Sequence, residues 1–249
     1  MGRRPSFLFC ACHNQPVEIT AFGETCFRFK GREGVVVADA FAPIVGPTGR
    51  GLTADIVTFS RDDSGPTLGL GKGARGGGKR ERPGRLDGRR RVPTSLESAF
   101  VLDSPGEYEV HGVLINALPT FRDDEKGALR GTNVCFVYEL DGLQAIHLGD
   151  IGHLLDEDTL GEVGTVAVAC VPIGGALPGA RAAELVAQLD AKLIVPMPLD
   201  ADGKGASELE RFLHEMSVQH SAPVAKLSVT ISSLPQETTV VLLEVRGRG

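Results

Sequence analysis

Apolar and polar residues alternate, with short glycine-containing breaks, through three successive stretches near the start of the chain: "VEITAFG" from Val17, "TCFRFKG" from Thr25 and "GVVVADAF" from Gly34. A period of two sends neighbouring side chains to opposite faces, so this pattern predicts a meander of paired strands. "ADIVTFS" from Ala54 follows as a fourth, more buried strand, and it stops abruptly at the charged and turn-forming residues "RDDSGPT". The pattern resumes in "SAFVLDSPGEYEVHGVLINALPTF", where Ser104, Pro105 and Gly106 turn the chain before more sheet. "TNVCFVYELDGLQAIHLGD" reads as a hairpin, because its two apolar runs flank Asp141–Gly142, a pair suited to the left-handed conformations of a two-residue turn.

After Asp150 the period changes. "TVAVACVPIG" and "KLIVPMP" are continuous apolar runs, as in strands covered on both faces. Between them "GARAAELVAQLDA" puts Ala182, Leu185, Val186 and Leu189 on one helical face, and "SELERFLHEMSV" does the same with Leu209, Phe212, Leu213 and Met216. "AKLSVTISS" and "ETTVVLLEV" predict strands at the end of the chain. Strands first, then alternating strands and helices, then strands again predict an α/β architecture: two mixed sheets packed face to face with helices outside, a four-layer αββα sandwich. Residues 1–16 are expected to be a flexible tail and residues 17–249 a single domain.

Composition agrees with a globular chain: 249 residues, 42% apolar and 23% charged, suffice to bury a sizeable core. No stretch approaches the roughly 20 apolar residues of a membrane span, so no membrane partner is expected. "MGRRPSFLFCACHNQP" lacks the small-residue cleavage site of a signal peptide. The five cysteines, at 10, 12, 26, 135 and 170, are odd in number and irregularly spaced, which argues against a disulfide framework and for a reducing, cytoplasmic location. Cys10, Cys12 and His13 are close enough for a soft-metal clip, but no second Cys/His pair follows at finger-like spacing.

The net charge of −6 is unevenly spread, since residues 67–93 carry +7 and the rest −13. That basic segment has eight glycines and almost no large apolar residue, so it reads as a solvated insertion too poor in burial to offset its ordering entropy. "GARGGGKR" within it nearly matches the phosphate-loop pattern GxxxxGK[ST], but Arg80 replaces the hydroxyl and Pro83 follows where a helix is needed. Its arginines would neutralise nucleic-acid phosphates, but no aromatic residues interleave to stack bases, so a nucleic-acid partner is the weaker reading.

Of the remaining stretches, "HLGDIGH", residues 147–153, is the most site-like. It follows the strand "LQAIHL", and its Gly-Asp turn would present Asp150 at a sheet edge, with His153 as a second candidate catalytic residue.

Taken together, "VEITAFGETCFRFKG", "VVVADAF", "LTADIVTFS", "SPGEYEVHGVLINALPTF", "HLGDIGH", "PIGG", "IVPM" and "SSLPQETTVVLLE" resemble the metallo-β-lactamase-fold hydrolases, in particular the bacterial branch that includes the ascorbate-phosphate lactonase type. The likeness runs from Val17 to Val245 and is broken mainly by the basic insertion. It implies the same αββα sandwich and, after the fourth strand, a motif HxHxDH whose residues hold two metal ions that activate a water. In this chain those four positions fall at Arg61, Asp63, Gly65 and Pro66, the third-site histidine at Arg122 and the last histidine at Pro198; only Asp150 matches a family ligand.

The resemblance therefore carries an expectation of a degenerate site. No metal is expected to bind, and Arg61 and Arg122 would occupy the metal cavity and pair with Asp150 and Asp63. That cluster would be either an inert salt-bridged framework or a pocket for a small anion such as a phosphate or carboxylate. The chain then reads as a pseudoenzyme or binding protein. The alternative is a zinc- or manganese-dependent hydrolase of a small ester, lactone or phosphate, working through Asp150 and His153. A local reading-frame shift would produce the composition between Arg61 and Pro93, but would leave Arg122 and Pro198 unaccounted for. Self-association is left open.

Overall fold

In the computed structural model the described residues, 15–61, 92–199, 204–218 and 222–246, form two mixed sheets flanked by helices. β1 (Val17–Gly23), β2 (Cys26–Lys30) and β3 (Val35–Ala38) make the expected antiparallel meander, which β4 (Ile56–Thr58) and β5 (Phe100–Leu102) extend in parallel. With β12 (Leu227–Val229) on its other edge, this six-stranded sheet has the order β12-β1-β2-β3-β4-β5. The second sheet contains β6 (Gly106–Val110), β7 (Val113–Phe121), β8 (Thr132–Leu140), β9 (Leu143–His147), β10 (Val168–Gly174), β11 (Leu193–Leu199) and β13 (Thr239–Val240). Its order is β13-β11-β10-β9-β8-β7-β6, antiparallel from β6 to β9 and parallel from β9 to β13.

Three apolar layers account for the four-layer stack. Between the sheets lie Ile19, Phe29, Val36 and Ile56 from one and Ile115, Phe136, Tyr138 and Cys170 from the other. The outer face of the second sheet packs Ile146, Val171 and Ile194 under α3 (Gly179–Leu189) and α4 (Gly205–Glu215). The helical stripe predicted for α3 is the one buried: Ala182, Leu185, Val186 and Leu189. The outer face of the first sheet is covered differently, by Phe41, Val45, Leu52 and Leu96 from α1 (Ala42–Val45) and short single turns.

"EYEVHGVLINAL", expected as further sheet, forms the β6–β7 hairpin, turned at His111 (φ +54°) and Gly112 (φ +85°). The structure departs from the sequence pattern in three places. α2 (Glu157–Val163), which the pattern did not announce, starts where the Asp156 carboxylate accepts the Thr159 N–H at 2.8 Å, an N-cap that overrides a weak apolar period. "AKLSVTISS" holds only three strand residues, because Thr230 and Ser233 bond each other's side chains and backbone in a capping box and so end the ladder. "ETTVVLLEV" supplies the short β13 and isolated bridges at Leu243 and Val245. Of the predicted insertion, residues 67–91 lie outside the described residues, whereas Val92 and Pro93 are buried in the body, Val92 against the layer around Phe41.

Polar ties join the two sheets at both ends of the strands. At one end the Asp141–Gly142 turn (φ +50° and +76°) forms as expected, and the Asp141 carboxylate reaches the other sheet's β2–β3 turn, accepting the Arg32 N–H at 2.7 Å. Across the buried middle, Tyr138 and Thr58 share a hydroxyl–hydroxyl bond of 2.6 Å. Tyr138→Phe leaves the Thr58 hydroxyl unpaired in the core, and urea unfolding is expected to register a loss of about 1–3 kcal/mol. An unchanged midpoint would mean that this bond contributes nothing to holding the sheets.

Candidate functional site

The topology gathers the carboxyl ends of β3, β4, β7, β9, β10 and β11 at the opposite end from Asp141. In open α/β sheets such an edge is where loops can carry chemistry on a rigid support. Asp39 follows β3, Ser60 and Arg61 follow β4, Arg122 follows β7, Asp150 follows β9 and Pro198 is the next-to-last residue of β11.

Asp39 locks the first sheet's contribution. It is fully buried at φ +51°, and its carboxylate accepts the Ser60 N–H at 2.7 Å and the Ser60 hydroxyl at 2.6 Å. Ser60 in turn meets the second sheet, its carbonyl accepting the Val134 N–H at 2.7 Å. Gly149 packs so closely on it that a Cβ there would lie 2.4 Å from the Ser60 Cβ, and its φ of +63° suits glycine. Next to this junction, His147 Nε2 donates to the Thr25 carbonyl at 2.8 Å while the ring sits among Phe27 and Phe29. Burial holds the His147 pKa below its ordinary value, the Arg61 charge adds to this, and Asp39 and the Thr25 carbonyl oppose it.

Asp150 is the centre of the second half. It has no exposed surface, and its Oδ2 accepts two hydrogen bonds from one arginine: Arg122 Nε at 2.9 Å and Arg122 Nη2 at 2.7 Å. Arg122 Nη1 donates to the Arg130 carbonyl at 3.0 Å. Asp150 Oδ1 has no hydrogen-bond partner among the described residues. Asn133 sets the position of Asp150: its Oδ1 accepts the Asp150 N–H at 2.9 Å, and its Nδ2 donates to the Leu148 carbonyl and to Thr120 Oγ1. Gly152 completes the fit, since a Cβ there would lie 2.3 Å from the Arg122 carbonyl oxygen. Beyond Arg122, the Asp123 carboxylate accepts the backbone N–H groups of Glu125, Gly127, Leu129 and Arg130, so one side chain organises the 122–131 loop.

Of the residues singled out from the sequence, Arg122 and Asp150 are thus brought together. Arg61 is not brought to Asp150. Its guanidinium lies 4.8 Å from the centroid of the Phe41 ring, Nη1 donates to Thr25 Oγ1 at 3.4 Å, and Glu24 is 4.0 Å away. The reason is the Asp39–Ser60 lock, which ends β4 beside the Glu24–Thr25 turn of the same sheet. His153, expected as a catalytic candidate, has both ring nitrogens engaged by the main chain: Nε2 accepts the Phe121 N–H at 3.0 Å and Nδ1 donates to the Leu154 carbonyl at 2.7 Å. Pro198 is exposed, and its side chain brings no metal-binding atom. Asp63, Gly65 and Pro66 lie outside the described residues, as do Cys10, Cys12, His13 and the "GARGGGKR" loop.

Among the described residues no group of three or more His, Cys, Asp or Glu side chains converges, so these residues do not fit the metal centre that the family resemblance implies. Asp39, Asn133 and Thr25 were not anticipated. Asp39 had left a signal, a carboxylate set in the apolar run "VVVADAF"; Asn133 in "TNVCFVYEL" had left almost none.

A family model described as the beta-lactamase superfamily domain matches residues 18–198. Two proteins described as UPF0173 metal-dependent hydrolases are similar to part of the chain: one from Thermococcus onnurineus is 33% identical over 111 residues and one from Methanoregula boonei 32% identical over 114, each match covering 43% of this chain. The matches cover 50% and 51% of those proteins, so the chain spans about half the length of the curated relatives it matches. A solved structure from Thermotoga maritima, described as a candidate zinc-dependent hydrolase of the metallo-beta-lactamase superfamily, superposes with a TM-score of 0.64 at 28% identity, covering 91% of this chain and 98% of that one. A candidate metal-dependent hydrolase from Parabacteroides distasonis shares the fold with a TM-score of 0.55 at 14% identity, covering 82% of this chain and 90% of its own.

Two ionisable groups tie this end of the sandwich to pH with the same sign. Desolvation opposes ionisation of Asp123, but its four backbone N–H bonds, led by that of Arg130, outweigh it and hold the carboxyl below its ordinary pKa. Its stabilising contribution is complete above the unfolded value of about 4 and disappears as pH falls through the lower folded value. His147, depressed by burial, likewise contributes fully above about 6.5 and less as pH falls toward its folded value. Asp123→Asn is therefore expected to unfold at lower urea than the parent at pH 7, with the difference shrinking below pH 4. A difference that does not change with pH would assign the effect to loop packing rather than to the carboxylate.

Proposed function

The chain belongs to the beta-lactamase superfamily, and from that premise we propose that it is a non-catalytic member, a pseudoenzyme acting as a binding or scaffold protein. The observation that carries this reading is the placement of the Arg122 guanidinium 2.7 Å from Asp150, with two of its nitrogens on one carboxylate oxygen. A buried carboxylate neutralised by a side chain from its own fold has little reason to recruit a metal ion. Arg61 supports the same reading, as a fixed cation in place of the first histidine of the metal motif.

The ligand class that such a site would attract is a small anion, a carboxylate or phosphate, through Arg61 and Arg122. Because Arg122 is already engaged by Asp150, the salt-bridged framework is favoured over an open anion pocket. A hydrolase of a small ester, lactone or phosphate is the second reading. It draws on the relatives described as metal-dependent hydrolases and on the unpartnered Asp150 Oδ1, a donor atom of the kind a zinc or manganese ion would take.

Elemental analysis of the purified protein separates the two. The first reading expects no stoichiometric zinc, manganese or iron, and no esterase, lactonase or phosphodiesterase turnover when those metals are added. Stoichiometric metal, together with a metal-dependent activity abolished by Asp150→Ala, would replace it with the second.

A further inference from the structure

We infer that the Arg122 guanidinium is the resident cation of this chain: it supplies Asp150 with the positive charge that a bound metal would otherwise bring, and so makes folding independent of divalent metal. The inference rests on the reading above only in taking the site to be free of metal, and says nothing about turnover. It starts from a disagreement, since family membership implies a metal centre and the described donors do not make one.

Asp150 is completely buried, and the Arg122 side chain is only 12% exposed. An ionised carboxylate removed from water needs a compensating charge held at good geometry, and the two charge-assisted bonds at 2.9 and 2.7 Å provide it. Among the described residues no other cation meets Asp150, whose remaining oxygen has no hydrogen-bond partner among them. The same guanidinium acts as a connector. β7 and β9 are not neighbours, being separated by β8, and the pair joins their ends across that gap. Its third nitrogen, through the Arg130 carbonyl, closes the base of the 122–131 loop. A guanidinium is always charged and is anchored covalently, so this cation, unlike a metal ion, is not lost to a chelator or to dilution.

The test is thermal unfolding of the full chain as the parent, Arg122→Ala and the double variant Arg122→Ala/Asp150→Asn, each with EDTA, with zinc chloride and with methylguanidinium. The parent is expected to melt at the same temperature under all three conditions. Arg122→Ala is expected to melt lower by roughly 10 °C, because it leaves a buried carboxylate unpaired, and to recover part of that loss with methylguanidinium. The double variant, which removes both charges, is expected to recover stability and to be indifferent to the added cation. If Arg122→Ala does not accumulate as folded protein, recovery of soluble, folded protein in the double variant supports the same coupling.

A parent that is destabilised by EDTA or stabilised by zinc overturns the inference. So does an Arg122→Ala protein that matches the parent, or one rescued neither by methylguanidinium nor by Asp150→Asn. Hydrolytic turnover by the parent with its melting unaffected by EDTA and zinc would remove the non-catalytic reading and leave this inference standing.

Discussion

A carboxylate with no exposed surface is the constraint on which the functional end of this molecule depends. A carboxylate removed from water needs a cation and directional donors, and the structure around the buried Asp150 is arranged to provide them. Arg122 reaches it from the end of β7, Asn133 at the start of β8 fixes its backbone, and Gly152 lets the two chain segments approach closely enough for the pair to form. The Asp123 loop then follows directly from Arg122, so the ion pair and the loop are parts of one arrangement rather than separate features.

The two halves of the strand-end cluster solve similar problems by different means. In the first sheet, Asp39 is satisfied by the hydroxyl and N–H of Ser60, and this lock turns Arg61 toward Thr25, Glu24 and Phe41. In the second, one oxygen of Asp150 takes two bonds from the Arg122 guanidinium. The halves touch where Gly149 packs on Ser60 and where His147 bonds the Thr25 carbonyl, which makes this end a joint between the sheets as well as a candidate site. Polar ties at both ends of the strands leave the centre to apolar packing, broken by the single paired Thr58–Tyr138 bond among the side chains noted there.

Much of the architecture was legible in the pattern of apolar residues. Alternation from Val17 to Ala38 marked the meander, Asp141–Gly142 marked the hairpin, and the spacing of Ala182, Leu185, Val186 and Leu189 marked the buried face of α3. In each case the information is local, since a period of two or of 3.6 residues and a left-handed turn are set by nearby residues. The elements that were missed or overextended owe their limits to side chain–backbone competition. Asp156 starts a short helix, and Thr230 with Ser233 stops a strand; both effects depend on one or two polar residues that leave little periodicity.

The sequence alone determined which residue types stand at positions 61, 122, 150 and 198, and the resemblance set the expectation that Arg61, Arg122 and Pro198 replace metal-binding histidines while Asp150 keeps an aspartate. Which cation meets Asp150 was decided only by the tertiary structure. Arg61 and Arg122 were equivalent as residue types, and 89 and 28 positions from Asp150 along the chain neither separation says which guanidinium arrives. The choice follows from the Asp39–Ser60 lock, which turns one arginine aside, and from the strand order, which sets the ends of β7 and β9 on the same edge with β8 between them. Long-range pairing of this kind is a property of how strands are ordered and ended, and a local pattern of side chains does not encode it.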